Sequence, residues 1–276
     1  MYKKILIALD LEGVNNVCGV PYSGLLRGSE EWEKACHQAA LEVNSAAQAL
    51  FDAGVERVAL WDNHGGGNNI IPYELDERIE LIVVDKNLPR MYFAKNEGFD
   101  CICFFGYHTM EGTLGGVLAH TMNSNVNQHY KLDGKYIGEV DMDSYIAASH
   151  RMASVFFAGG DITCKQALRS IPHLTTVVTK KEISRNEAEY TDNNLLFEEI
   201  GKKIVEAINT EKPVLPCSFP ATFEKSFKRT EDASKYLLRL HGNNIDADYL
   251  ADSILGKDAH TVVSKIHNMS EFIICI

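Results

Sequence analysis

Hydrophobic positions along the first two-thirds of the chain alternate between short apolar runs and amphipathic stretches. The apolar runs are typical of strands and lie at 3–9, 58–61, 79–84, 101–105, 155–158 and 175–179. Apolar residues at helical spacing occupy 30–52, 141–152 and 162–169, and Ser29 is placed to cap the first of these helices. The runs are apolar on both faces, which is typical of parallel strands covered by helices. The pattern therefore predicts an α/β fold with a mostly parallel sheet and flanking helices.

A different pattern follows in the middle and at the end of the chain. Residues 130–137 contain Asp133-Gly134 between two alternating segments, which predicts a β-hairpin. Thr191 or Asp192 is expected to cap a long helix, and 222–227 alternates as a half-buried strand. Two shorter helical stretches and an apolar strand at 272–276 are expected to close the chain.

Composition and charge exclude several classes of protein. The 276 residues carry a net charge of −11, whereas a nucleic-acid or anionic-membrane surface needs a basic patch. No run of eighteen apolar residues is present, and the first apolar run, which follows Met1-Tyr2-Lys3-Lys4, is too short for a signal peptide. The seven cysteines are odd in number and lack a C-x-x-C spacing. We therefore expect a cytoplasmic protein with reduced cysteines.

Polar residues with metal-binding side chains follow the predicted strands. Asp10 and Glu12 come after the first strand, and two acids at this spacing face one side and repel each other unless a cation or a shared proton lies between them. His64 follows the second strand, His108 the fourth, and Glu139 the hairpin. The carboxyl ends of parallel strands meet at one edge, so these loops should converge. The sequence therefore predicts a metal site.

The donor types indicate which metals would bind. Three carboxylates and two imidazoles suit zinc, manganese or cobalt, whereas calcium prefers oxygen alone. Five ligands are too many for one tetrahedral zinc but match two metals that share a carboxylate. Asp62 and Asp161, also at strand ends, either accept a hydrogen bond from a ligating imidazole or form a turn.

The residues alone leave other functions open. Asp10-Leu11-Glu12-Gly13-Val14 resembles the Asp-x-Asp-Gly-Thr nucleophile motif of haloacid-dehalogenase-type phosphatases, although Glu12 and Val14 depart from it. A magnesium-dependent phosphohydrolase with Asp10 as nucleophile is therefore an alternative, as is a non-catalytic metal-binding ring protein. His64-Gly65-Gly66-Gly67 looks like the oxyanion loop of an esterase, but the chain contains no G-x-S-x-G elbow.

Several motifs occur in the order found in a known family. They are Asp10-x-Glu12-Gly13, Asp62-Asn63-His64, Gly106-Tyr107-His108, the segment 116–122, Gly138-Glu139, Ala158-Gly159-Gly160-Asp161 and Ile183-Ser184-Arg185. Together they resemble the zinc D-aminopeptidases of peptidase family M55. The similarity covers about residues 3–190 and extends only loosely into the last third.

The resemblance implies an activity and a set of site residues. It implies a metallo-aminopeptidase that hydrolyses the N-terminal residue of short D-amino-acid peptides with water activated by two zinc ions per chain. Asp10 would bridge the two ions, and the remaining ligands would be Glu12, His64, His108 and Glu139. His120 falls on the histidine proposed as the catalytic residue in the family. The implied partners are a short peptide substrate and further copies of the chain in a ring, reported as a decamer.

The change of pattern near residues 185–192 predicts two domains. We expect residues 1–190 to form an α/β metal-binding catalytic domain. Residues 191–276 are expected to form a smaller α+β domain, and the ring architecture of the family suggests a role in oligomerisation for it.

Overall fold

A parallel sheet lies at the centre of the computed structural model, which describes residues 1–70, 74–85, 87–252 and 259–276. Within these residues its six strands are β1 (Lys4–Leu9), β2 (Arg57–Asp62), β3 (Glu80–Leu81), β4 (Cys101–Phe105), β7 (Ala153–Gly159) and β8 (Thr175–Val178). Their order across the sheet is β3-β2-β1-β4-β7-β8, and each neighbouring pair is parallel. The expected mostly parallel sheet is confirmed.

Helices cover both faces of this sheet. In the described residues these are α1 (Glu30–Asp52) and α4 (Asn193–Asn209) on one face and α2 (Glu139–Ser149) and α3 (Asp161–Ser170) on the other. Of the remaining helices, α5 (Thr230–Gly242) packs on strands from the end of the chain, and α6 (Met269–Cys275) packs against α2. Successive side chains of β1 divide between two cores: Ile5 and Ile7 pack with α1 and α4, whereas Leu6 and Ala8 share a core with α2. A strand buried on both faces must be apolar throughout, which explains the unbroken hydrophobic run.

A second, antiparallel sheet is built mainly from the end of the chain. In the described residues it contains β5 (Asn127–Leu132), β6 (Lys135–Tyr136), β11 (Ala221–Phe227), β12 (Ala247–Asp252) and β13 (Ala259–Ile266), in the order β12-β13-β11-β5-β6. A separate hairpin joins β9 (Lys180–Ser184) to β10 (Glu187–Tyr190). None of the helices in the described ranges has the length and hydrophobicity that a membrane span requires.

Most of the predicted helix caps and turns are confirmed. The Ser29 side chain caps α1 by accepting a hydrogen bond from the backbone N–H of Trp32, and Asp192 caps α4. The turn at Asp133-Gly134 joins β5 to β6, and both residues adopt positive φ angles. The seven cysteines all lie in described ranges and are free thiols, as expected.

Three predicted details are wrong. The third strand is only Glu80–Leu81, and β12 and β13 are not apparent from the pattern because polar Thr261 and Ser264 are buried on β13. The apolar stretch at 272–276 belongs to α6. Asn268 caps this helix, and Phe272 and Cys275 are buried at the i, i+3 spacing of one helical face.

Elements on either side of residue 190 are shared between the two sheets. Strand β5 pairs with β11 of the last third, so part of the first segment extends the antiparallel sheet. Helix α4, in turn, packs against α1 and β8 of the parallel sheet. The division into domains at 1–190 and 191–276 stays a prediction.

Candidate metal centre

The strands that precede the predicted ligands end at the same level. Leu9, the last residue of β1, lies opposite Asp62 at the end of β2 and Phe105 at the end of β4. The loops that follow therefore start side by side at the carboxyl edge of the sheet, where open α/β folds bind ligands. Asp10 and His108 follow at this edge.

Two glycines allow the loops after β1 and β4 to touch. The backbone N–H of Gly13 donates to the carbonyl of Gly106 over 2.6 Å. A Cβ atom on Gly13 would overlap the carbonyl oxygen of Tyr107, and one on Gly106 would overlap that of Asp10. Gly106 also has φ of +69°, which favours glycine. The close approach brings the two loops, and with them Asp10 and His108, into one cluster.

The five predicted ligands lie together as two groups that share one residue. His64 Nδ1 lies 2.9 Å from Asp10 Oδ1 and 3.1 Å from Glu12 Oε2. On the other side, His108 Nε2 lies 3.6 Å from Asp10 Oδ2 and 3.2 Å from Glu139 Oε1. Asp10 thus presents one carboxylate oxygen to each group. Within each group the candidate ligand atoms lie within 4.8 Å of one another.

His108 has a nitrogen suited to a metal. Its Nδ1 lies 3.0 Å from the backbone carbonyl of Thr109, which can only accept a hydrogen bond, so Nδ1 carries the proton. Its buried Nε2 forms no well-aligned hydrogen bond with any described residue. This nitrogen nevertheless lies between two carboxylates, 3.2 Å from Glu139 Oε1 and 3.6 Å from Asp10 Oδ2. A cation bound between His108, Asp10 and Glu139 would fit this donor set and give Nε2 a well-directed partner.

His120 lies against the same cluster. Its ring stacks on that of His108, with centroids 3.8 Å apart and planes 10° apart. Its Nδ1 donates to the carbonyl of Leu118 over 2.8 Å, which leaves Nε2 with a free lone pair. His120 also forms a candidate ligand group with Glu12 and His108.

The cluster is held by mutual charge compensation. Burial, reinforced by the charge of Glu12, raises the pKa of Asp10 to about 7. Glu12 is equally buried, but the charge and hydrogen bond of His64 outweigh burial and hold the pKa of Glu12 well below its usual range. Although burial opposes it, Glu12 also raises the pKa of His64 to about 11, and Glu139 raises that of His108 to about 10. Metal binding would displace these imidazole protons.

Comparison with known proteins identifies the family. The sequence model of peptidase family M55, described as D-aminopeptidase, matches residues 3–250. The chain belongs to peptidase family M55. It is 28% identical over 184 residues to the D-aminopeptidase of Bacillus subtilis (strain 168), a match that covers 66% of this chain and 65% of that relative. The chain thus spans slightly less than two thirds of this relative's length.

A solved structure has the same fold as this M55 chain. It is the Zn-dependent D-aminopeptidase DppA from Bacillus subtilis, a self-compartmentalizing protease. The two superpose with a TM-score of 0.82 at 22% identity, over 98% of this chain and 94% of that one. The similarity therefore extends through the last third, where the sequence motifs are weak.

A buried carboxylate beneath the M55 cluster joins the loops that carry the histidines. Asp143 on α2 accepts a 2.7 Å hydrogen bond from the Tyr107 hydroxyl, which in turn accepts one of 3.0 Å from Asn63 Nδ2. Tyr107 and Asn63 immediately precede the two candidate ligands His108 and His64. Arg90 pairs with Asp143 through bonds of 2.6 and 2.8 Å. The sequence hints at this role only through spacing, since Asp143 lies one helical turn beyond Glu139.

Asp62 and Asp161 bind to backbone and side-chain groups other than the imidazoles of the cluster. Asp62 accepts hydrogen bonds from the backbone N–H groups of Asn69 and Ile70 and so shapes the loop after β2. Asp161 accepts from the backbone N–H of Glu182 and pairs with Lys165. Among the described residues neither carboxylate bonds to an imidazole: Asp62 has the turn role, whereas Asp161 joins the start of α3 to β9.

We expect Asp143→Leu to destabilise the protein by about 3–5 kcal/mol because it leaves the partly buried guanidinium of Arg90 unpaired. Adding Arg90→Met removes that charge and should restore most of the free energy of unfolding. Zinc affinity should nevertheless stay about 10- to 100-fold weaker in the double variant, since the Tyr107 hydroxyl has lost its acceptor. Urea unfolding and calorimetric zinc titration measure the two effects. Wild-type zinc affinity in the double variant would show that Asp143 does not position the ligands.

Proposed function

We propose that this chain is a zinc-dependent aminopeptidase that removes the N-terminal residue from short peptides of D-amino acids. The observation that carries the proposal is the pair of ligand groups that share Asp10. Membership of M55 and the similarity to the Bacillus subtilis D-aminopeptidase support the substrate class. The Zn-dependence stated for DppA supports the metal.

Two zinc ions per chain are proposed, bridged by Asp10. Glu12 and His64 would complete one site, and His108 and Glu139 the other. Carboxylate and imidazole donors suit zinc. The shared carboxylate has one oxygen directed to each group, which is the arrangement that a bridging ligand requires.

The cluster also supplies means to bind and hydrolyse a peptide. Zinc held by Asp10, Glu12, His64, His108 and Glu139 would supply a Lewis acid for the peptide carbonyl and would lower the pKa of water toward about 7. One metal ion or its carboxylate ligands would hold the free amino terminus of a peptide, which would direct cleavage to the N-terminal residue. His120 Nε2, with its lone pair free, accepts a proton from the attacking water and returns it to the leaving amine. Such transfer contributes about 10²- to 10⁴-fold to the rate.

A phosphohydrolase finds less support in the geometry. Asp10 would need an exposed carboxylate oxygen to attack a phosphate ester, but its two oxygens are directed at His64 and His108. Asp10 is also buried.

The test of this function compares two mirror-image substrates. Zinc-loaded protein is expected to release amine from D-Ala-D-Ala and not from L-Ala-L-Ala, and a chelator should abolish the release. Cleavage of the L-peptide alone would retain the mechanism and contradict the stereochemistry. Hydrolysis of p-nitrophenyl phosphate with magnesium, and of neither peptide, would favour the phosphohydrolase. Zinc binding without any turnover would favour the non-catalytic alternative.

Two substitutions separate the catalytic residue from the bridging ligand. His120→Ala should lower kcat by about 10²- to 10⁴-fold and leave the zinc content intact. Asp10→Ala should cost the protein both zinc ions because both groups lose a ligand. Exposed His267→Ala is the control. Metal analysis and steady-state kinetics measure the outcomes; loss of zinc from His120→Ala would make His120 a ligand, and retained zinc in Asp10→Ala would exclude the bridge.

We further propose that copies of the chain form a ring in the cytoplasm, with residues 191–276 contributing to the contacts. DppA is described as self-compartmentalizing, and Leu195 and Leu238 in this part of the chain are 65% and 71% exposed. Light scattering after gel filtration is expected to give ten times the 30.8-kDa chain mass. Another multiple would contradict the decamer, and the mass of one chain would contradict the ring.

A further inference from the structure

Strand β9 contacts two separate loops of the metal centre through buried charged side chains. Lys180 and Glu182 are two residues apart and therefore project from the same face of the strand. They are 1% and 7% exposed. Burying charged groups is expensive unless each charge is compensated, so the contacts that these two side chains make define their role.

Lys180 holds the loop that carries Glu12. Its ammonium has three N–H donors, and it contacts three backbone carbonyls of this loop: those of Glu12 at 2.5 Å, Val14 at 2.8 Å and Val17. The neighbouring Thr179 hydroxyl donates to the carbonyl of residue 13 over 2.6 Å. Four backbone carbonyls between residues 12 and 17 thus accept hydrogen bonds from Lys180, the first residue of β9, and Thr179, which precedes it.

Glu182 holds the segment that leads to His120. Its Oε1 accepts from the backbone N–H of Val117 over 2.8 Å. Its Oε2 accepts from the backbone N–H groups of Ile162 and Thr163, at 2.9 and 3.0 Å, in the first turn of α3. One carboxylate therefore joins the segment before His120 to α3, a helix that packs against the parallel sheet.

Arg185, directly after β9, holds the next two residues of the same segment. Its carbonyl accepts from the backbone N–H of Leu118 over 2.9 Å, and its Nη1 donates to the carbonyl of Ala119 over 2.6 Å. Leu118 is also the residue whose carbonyl orients the His120 ring. A continuous series of hydrogen bonds therefore leads from β9 to the imidazole of His120.

We propose that Lys180 and Glu182 are positioning residues with separable tasks. Lys180 holds Glu12 in place and so sets the affinity for zinc. Glu182, together with Arg185, holds His120 in place and so sets the turnover number. This role of Glu182 rests on the proposed aminopeptidase function. The two side chains act through different loops, and a change in one should leave the other loop in place.

The experiment uses two variants of the full-length chain for each loop. Lys180→Met and the milder Thr179→Val remove donors to the loop of Glu12. Glu182→Gln and the milder Arg185→Gln disturb the segment before His120. If Lys180→Met or Glu182→Gln fails to fold because a buried charge is lost, the milder variant of the same pair still tests the role of that loop.

Lys181→Met is the matched control, because Lys181 lies between the two buried residues but is exposed and pairs with exposed Glu189. Zinc Kd is measured by competition with a chelating dye. The kcat and KM values for D-Ala-D-Ala are measured at saturating zinc, and thermal unfolding is followed for every variant.

We expect the first pair of variants to raise the zinc Kd by about 10- to 100-fold and to regain turnover at saturating zinc. The second pair should keep the wild-type Kd and KM but lower kcat by about 10- to 100-fold, because a small displacement of a catalytic group is costly. Lys181→Met should match the wild type in all three constants.

Parallel losses of zinc affinity and turnover in all four variants would overturn the proposal and leave β9 a general stabilising element. An unchanged Kd in Thr179→Val and Lys180→Met would exclude the role of Lys180. If the wild type hydrolyses no peptide, the proposed function fails and the role of Glu182 fails with it. The Kd values then still decide the role of Lys180.

Discussion

Three carboxylates buried at one edge of the parallel sheet impose the main constraint on this molecule. Asp10, Glu12 and Glu139 lie close enough to repel one another, and burial removes the water that would screen their charges. Each needs positive charge nearby. His64 and His108 supply it when protonated, and two divalent cations would supply more. The arrangement is stable only because the surrounding fold holds these groups against their repulsion.

The fold opposes this repulsion from several directions. The parallel strands β1 and β4 end at the same level, so the loops that follow them start side by side. The contact between Gly13 and Gly106 joins these two loops. Asp143 on α2 links Tyr107 and Asn63, the residues that precede His108 and His64. Strand β9 holds the loop of Glu12 through Lys180 and the segment before His120 through Glu182. Most of these supporting groups are buried and hydrogen-bonded, as a rigid site requires.

That four of the proposed ligands come together could be predicted from sequence, because Asp10, Glu12, His64 and His108 follow strands whose hydrophobic runs are local and strong. Asp10 and His108 could be placed at one edge from the direction of parallel strands alone. Lys180 could not be found in this way, since its contact with Glu12 spans 168 residues of sequence and a lone lysine on a strand carries no local signal. The assignment of 272–276 to a strand failed because five apolar residues have no clear period.

The same limit applies to the boundary expected near residue 190. The sequence pattern does change there, yet pairing of β5 with β11 is a long-range contact that no local pattern reveals. His120 is an intermediate case. Its segment has no strand-end signal, and only the resemblance to M55 singled it out before its stacking on His108 was seen.

The proposed role of Asp10 as a bridge between two metal ions can be observed in an anomalous difference map, collected at the zinc absorption edge from crystals of the zinc-loaded protein. We expect two peaks on opposite sides of the Asp10 carboxylate, one beside His64 and the other beside His108. A single peak, or two peaks that Asp10 does not contact, would contradict this role.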